Sequence, residues 1–167
     1  NAGSDGIKST YDTDTTKGNV IIEGGNITIK ASNDGIQAEN ILVINDGTIN
    51  IKTNNGAADT TQTHTDNMYM GRGGFGFNNN KTTTTTDDTS ESRKGIKAGN
   101  MLIINDGDIT IDSDDDSVHC NSEIYIYGGT INAATGDDGV HADDLLTVNG
   151  GTINITQCYE GIEADDI

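Results

Sequence analysis

The feature that most constrains this chain is a period of 22 residues. TGDDGVHADDLLTVNGGTINIT runs from Thr135 to Thr156, and its parts recur on both sides. Ser117, Gly139 and Gly161, each followed by Val or Ile, are evenly spaced by that period. So are Gly107, Gly129 and Gly151, and further upstream Gly25 and Gly47. A constant period of this length, with no helical pattern inside it, specifies a solenoid whose repeat is one turn of chain.

Each repeat holds three short alternating segments. The first is Val140-His141-Ala142, matched by Ile36-Gln37-Ala38, Ile96-Lys97-Ala98 and Ile162-Glu163-Ala164. The second is Leu146-Thr147-Val148, matched by Leu42-Val43-Ile44, Leu102-Ile103-Ile104 and Ile124-Tyr125-Ile126. The third is Ile153-Asn154-Ile155, matched by Ile27-Thr28-Ile29, Ile49-Asn50-Ile51 and Ile109-Thr110-Ile111, with Ile131-Asn132-Ala133 the weakest copy. Alternation turns every second side chain inward. Asn-Asp-Gly or Asn-Gly-Gly between the second and third segments suits left-handed turns, and the abundant glycine is expected mostly at such corners. Hairpins are the alternative for those turns, but equal spacing favours parallel stacking in register. The reading is all-β: a right-handed, three-sided parallel β-helix of about six turns, rising about 4.8 Å per turn. Proline, which would remove ladder hydrogen bonds, is absent.

The period places the whole chain, 1–167, in a single domain and suggests a fragment of a longer secreted protein. Two excesses interrupt it. One lies around Tyr11 to Lys17; the other, residues 54–92, is a low-complexity insertion rich in Thr and Gly that carries Phe75 and Phe77. The insertion is expected to fold back along the helix and cover a face. Cys120 takes a position that is Ala in other turns, Cys158 lies at a corner, and no disulfide between them is expected.

The formal net charge is −18. That excludes a phosphate-binding face and an anionic membrane surface as partners, so neither nucleic acid nor membrane insertion is expected. It favours bound cations or a secreted protein kept soluble by charge. Acids recur at the corners flanking the first segment: Asp115, Asp116, Asp137, Asp138 and Glu160 before or at it, Asp143, Glu163 and Asp165 within or after it. Stacked at about 4.8 Å, each like-charge contact costs about 3.5 kcal/mol at an effective dielectric near 20. Ca²⁺, a hard ion taking oxygen ligands, relieves that repulsion, and these eight residues are its candidate ligands.

His119 and His141 share an outward column with Glu163, an arrangement able to hold a transition metal. Arg93, Lys94, Lys97, His119, His141 and Tyr159 are candidate carbohydrate contacts. Tyr125 and Tyr127 are further candidates for stacking on sugar rings. Lys94 and Lys97 have the type needed for a lyase base, but no motif fixes them, so no catalytic residue is assigned. The Thr/Asn column of the third segment (Thr28, Asn50, Thr110, Asn132, Asn154) is the kind of flat face that orders water, which raises ice binding as a separate class.

DDGVHADDLLTVNGGTINIT, YEGIEADDI and the ESRKGIKAG that closes the insertion resemble the bacterial secreted carbohydrate-binding domain-containing family of clostridial type. The resemblance implies a pectate-lyase-like β-helix, calcium at the acidic corners, and binding of cellulose or acidic, pectin-like polysaccharide without catalysis. Arg93-Lys94 in place of acids and Ser117 in place of glycine depart from the repeat. The expected function is an extracellular, calcium-stabilised carbohydrate-binding protein of the bacterial cell surface. The alternatives are an adhesive β-helix that self-associates end to end into filaments, and a polysaccharide lyase.

Overall fold

The computed structural model describes residues 1–14, 16–57 and 92–167. These form a β-solenoid with no helix. The first strand column contains β1 (Ile7–Ser9), β4 (Ile36–Ala38), β7 (Ile96–Ala98), β10 (Val118–Cys120), the start of β13 (Val140–Val148) and β15 (Ile162–Asp166). The second contains β2 (Val20–Ile22), β5 (Ile41–Ile44), β8 (Met101–Ile104), β11 (Glu123–Ile126) and the end of β13. The third contains β3 (Asn26–Ala31), β6 (Thr48–Thr53), β9 (Asp108–Ser113), β12 (Thr130–Thr135) and β14 (Thr152–Gln157). All pairings between these strands are parallel. The strands make five complete turns and begin a sixth. β13 runs unbroken around a corner, joining the first two columns in one ten-stranded sheet; the third column is a five-stranded sheet.

The register is the one the period specifies. Val118 lies between Ile96 and Val140, Leu102 between Leu42 and Ile124, and Ile109 between Ile49 and Ile131. These inward side chains form one core, and Ile36, Leu42, Ile49, Ile96, Leu102 and Ile109 are completely buried. Removing one such side chain from water contributes about 1.5–3 kcal/mol, so a narrow core suffices when repeated along the axis. Cys120 is buried within it and Cys158 is exposed; both are free thiols.

Glycine serves two distinct purposes here. Gly25, Gly47, Gly107, Gly129 and Gly151, between the second and third columns, all have left-handed φ, from 83° to 126°. Gly35, Gly95 and Gly139, before the first column, do not; they are required by close approach. A Cβ on Gly95 would stand 2.5 Å from the Ser117 carbonyl oxygen and 2.4 Å from Ile111 Cγ2. The expectation that corner glycines mostly provide positive φ therefore holds for one column only.

Ser117 is tolerated in the second kind of position because the repeat changes opposite it. Gly35, Gly95 and Gly139 each face the isoleucine sixteen residues on, at Ile51, Ile111 and Ile155. The equivalent residue for Ser117 is Ala133, and both are buried. The two departures from the repeat thus compensate one another. The link Val118 N–H to Gly139 O is 3.3 Å, against 2.8 Å for Ile96 N–H to Ser117 O, as expected where an added Cβ separates two turns.

The start of the insertion is ordered by the solenoid. Asn54 Nδ2 donates to Asp114 Oδ2 at 3.0 Å and the Ala57 N–H to Asp112 Oδ1 at 2.9 Å. Gln157 Nε2 donates to the Ala57 carbonyl at 2.6 Å, so this stem crosses from the second turn towards the fifth. The expectation that the insertion covers a face, with Phe75 and Phe77, concerns residues 58–91, outside the described residues.

Candidate functional site

The corner before the first strand column places Asp5, Asp34, Lys94, Asp116, Asp138 and Glu160 at equivalent positions of successive turns. Here the carboxylates link one turn to the next. Asp5 Oδ1 accepts the Asp34 N–H (3.1 Å), Asp34 Oδ1 the Lys94 N–H (2.8 Å), Asp116 Oδ1 the Asp138 N–H (3.0 Å) and Asp138 Oδ1 the Glu160 N–H (3.2 Å). Lys94 has no acceptor to offer, and the N–H of Asp116 turns instead to Asp115 Oδ1 at 2.9 Å. Each link satisfies a backbone donor that the bend between strands removes from the ladder.

The second carboxylate oxygen meets a basic side chain, usually three residues on. Lys8 Nζ is 2.7 Å from Asp5 Oδ2, His119 Nδ1 is 2.8 Å from Asp116 Oδ2, and His141 Nδ1 is 3.2 Å from Asp138 Oδ2. The fourth turn adds cations from the third: Lys94 Nζ lies 3.0 Å from Asp115 Oδ1 and 2.6 Å from Asp116 Oδ2, and Arg93 Nη1 lies 2.7 Å from Asp114 Oδ2. In the fourth turn, Lys94 and Arg93 thus lie against stacked acids whose mutual repulsion was foreseen.

The protonation states follow. Burial disfavours charge on Lys94, but the Coulombic pull of Asp116 and Asp115 overrides it and holds the ammonium well above the usual lysine value. Burial likewise opposes the charge on Asp116, yet the hydrogen bond from His119 and the charge of Lys94 hold this carboxyl far below its ordinary value. The hydrogen bond with Asp138 is the largest cause that raises His141 to about 9, against partial burial and with help from Asp116 and Glu163. Glu163 is shifted upward, chiefly by desolvation. Burial pushes the Cys120 thiol up to about 11, so it stays protonated and inert at neutral pH.

The expected site residues fall into groups. Asp115, Asp116 and Asp137 bring oxygens within 4.8 Å of one another, as do Asp138, His141 and Glu163 with their donor atoms. The first group fits calcium by ligand type, but Lys94 already occupies two of its three carboxylates, so an ion entering there displaces an ammonium. Glu160 contributes its N–H to Asp138. Asp143 Oδ1 lies 3.4 Å from His141 Nε2, whereas Asp165 is exposed and joins neither group. Among the carbohydrate candidates, Arg93, Lys94 and His119 face internal carboxylates, and His119 is buried although its column points outward. Lys97 Nζ reaches Ser92 Oγ at 3.3 Å, and Tyr159 is 46% exposed. A protonated Lys94 held between two aspartates is not placed to accept a proton as a lyase base requires.

A second surface carries aromatic groups. Ile21, Val43, Ile103, Tyr125 and Thr147 align along the outer face of the second column. The rings of Tyr125 and Tyr127 lie 6.4 Å apart, 9° from parallel, and Tyr127 is 51% exposed. Just past Tyr127 the chain turns into the glycine corner. There Gly25, Gly47, Gly107 and Gly129 contribute to a groove of about 380 Å³, bordered by Asp46, Asp106, Asp108, Thr48 and Thr130. The aliphatic part of this face was overlooked in the sequence, although Ile21, Val43 and Ile103 at outward positions were its signal.

No curated protein and no solved structure matches the chain. The sequence model of a family matches residues 1–139, so that His141, Asp143 and Glu163 lie beyond the match. Through that match, which spans most of its length, the chain belongs to the carbohydrate-binding domain-containing protein family.

Proposed function

We propose that the chain is an extracellular protein of the bacterial cell surface that binds a neutral polysaccharide of the cellulose type along the outer face of the second strand column. The observation that carries this reading is the Tyr125–Tyr127 pair: Tyr125 continues the aliphatic row of Ile21, Val43 and Ile103, and the Tyr127 ring lies near-parallel beside it. The apolar faces of pyranose rings stack on such a shelf. Asp46, Asp106 and Asp108 in the adjoining groove offer acceptors for sugar hydroxyls. A neutral glycan also suits a chain of net charge −18 whose corner cations are matched by internal acids.

A second reading is favoured by the oxygen cluster of Asp115, Asp116 and Asp137. Calcium held there would bridge to the carboxylate of an acidic, pectin-like polysaccharide, provided that Lys94 swings away. Pull-down on cellulose, soluble β-glucan and polygalacturonate, with calcium or with chelator, tests both. Retention on cellulose in either medium, lost in Tyr125→Ala/Tyr127→Ala, is the expected result. Calcium-dependent retention on polygalacturonate alone would favour the second reading, and retention on none of them would overturn both.

A further inference from the structure

We propose that Asp138, His141 and Glu163 form a binding site for a transition-metal dication, with zinc as its type ion. The inference is independent of the glycan reading and uses a mixed donor set rather than the oxygen cluster considered for calcium. It starts from a break in the corner pattern. Asp5, Asp116 and Asp138 are each followed three residues later by a cationic or basic side chain, at Lys8, His119 and His141. In the last turn both positions are acidic, Glu160 and Glu163. With no cation of its own, Glu163 faces back along the column and places Oε2 3.7 Å from His141 Nδ1. Asp138 Oδ2 lies 3.2 Å from the same nitrogen.

The three donor atoms lie within 4.8 Å of one another. Zinc bound at about 2.0–2.2 Å in a tetrahedron requires ligand atoms roughly 3.3–3.6 Å apart. The observed 3.2 and 3.7 Å bracket that spacing, so small side-chain adjustments suffice. An imidazole nitrogen with two carboxylates suits zinc and its neighbours in the transition series, whereas calcium and magnesium prefer oxygen alone.

The surroundings support the ligands as metal sites require. His141 Nε2 stands 3.4 Å from Asp143 Oδ1, so that when a metal replaces the proton Nδ1 shares with Asp138, this carboxylate is placed to hold the other ring proton on Nε2. Asp138 is oriented by the Glu160 N–H on its other oxygen. Asp116 Oδ2, 3.8 Å from His141 Nδ1, already carries Lys94 and His119 and is a neighbour rather than a ligand. Side-chain exposures of 27% for His141 and 48% for Glu163 leave an entry path and an open coordination position for water.

Titration calorimetry of the chelator-stripped chain with zinc chloride tests the site. One zinc per chain is expected, with binding at least a hundredfold weaker in His141→Ala and at least tenfold weaker in Glu163→Gln. Millimolar calcium should not compete. Far-UV circular dichroism checks that each variant folds, and His141→Gln serves if His141→Ala does not. Cobalt(II) gives a second readout: tetrahedral d–d absorption that disappears with His141. Zinc affinity insensitive to His141 substitution, displacement by calcium, or no binding at all would overturn the proposal.

Discussion

The two corners that flank the third strand column are built on different principles. Between the second and third columns, Gly25, Gly47, Gly107, Gly129 and Gly151 repeat one backbone conformation, and the Asn and Asp side chains there only add to it, as in Asn105 Nδ2 to Asn45 Oδ1 at 2.7 Å. Between the third column and the next turn, Asp5, Asp34, Asp116 and Asp138 make the bend with carboxylates that reach the next turn's backbone, and Lys94 reaches Asp115 and Asp116 with its ammonium. A backbone solution fixes the glycine and lets its neighbour vary without altering the bend, as Asp46, Asp106, Gly128 and Gly150 show. A side-chain solution can change its charge at every step, as Lys94 and Glu160 show. In this fold, the corner made by side chains is where charge and the bend itself change together from one turn to the next.

The largest effect that would sharpen this contrast is expected from Lys94→Met. It leaves Asp115 and Asp116 without their ammonium, and breaking a buried pair costs about 3–5 kcal/mol. Urea unfolding in chelator should show that loss. If calcium fills the vacated position, adding it should restore much of the stability and create a calcium site stronger than the wild type's. Unchanged stability in chelator would mean that the acids there need no counterion.

Next comes the pair that departs from the repeat. Ala133→Ile alone should lower stability by about 1–3 kcal/mol, because the larger side chain meets the Cβ of Ser117. The double variant Ala133→Ile/Ser117→Gly should recover most of it, giving a coupling energy above about 0.5 kcal/mol in a double-mutant cycle. Strict additivity would break the claim that the two changes compensate. At the other corner, Gly47→Ala should cost about 1–2 kcal/mol for its left-handed backbone. Its added Cβ would also stand 2.8 Å from the Gly25 carbonyl oxygen, and no side-chain substitution elsewhere should rescue it.

The smallest expected effect is a pH dependence at His141. Its folded value, about 9, lies above the ordinary 6.5. Stability from its contacts is therefore complete below about pH 6.5 and is lost as pH rises through about 9. Imidazole NMR titration of metal-free protein should find the raised value, and Asp138→Asn should move it downward, since that hydrogen bond is the first cause of the shift. An ordinary histidine value in the wild type would contradict the placement of this ring.

How far the sequence was legible follows the same division. Strand positions, inward columns and register could be read from Ile49, Ile109 and Ile131 or from Leu42 and Leu102, because burial imposes one residue type at one phase. The role of the corner acids could not be read from their abundance. Asp116 and Asp138 suggested repulsion in need of an ion, whereas each accepts an N–H from the following turn and faces a base three residues on. The i,i+3 spacing of Asp5–Lys8, Asp116–His119 and Asp138–His141 was visible, but composition gave it no weight. The contact of Lys94 with Asp115 and Asp116 joins adjacent turns and emerges only once the turns are stacked.

The carboxylate-to-N–H links have a mechanical meaning. In a single-molecule pulling experiment on the two ends, the solenoid should peel rung by rung, each rung parting one such link, or at Lys94 its ion pairs, together with its ladder. The rungs differ most at Lys94, where two buried aspartates share one ammonium. That junction should resist longest and divide the extension trace into two series of steps.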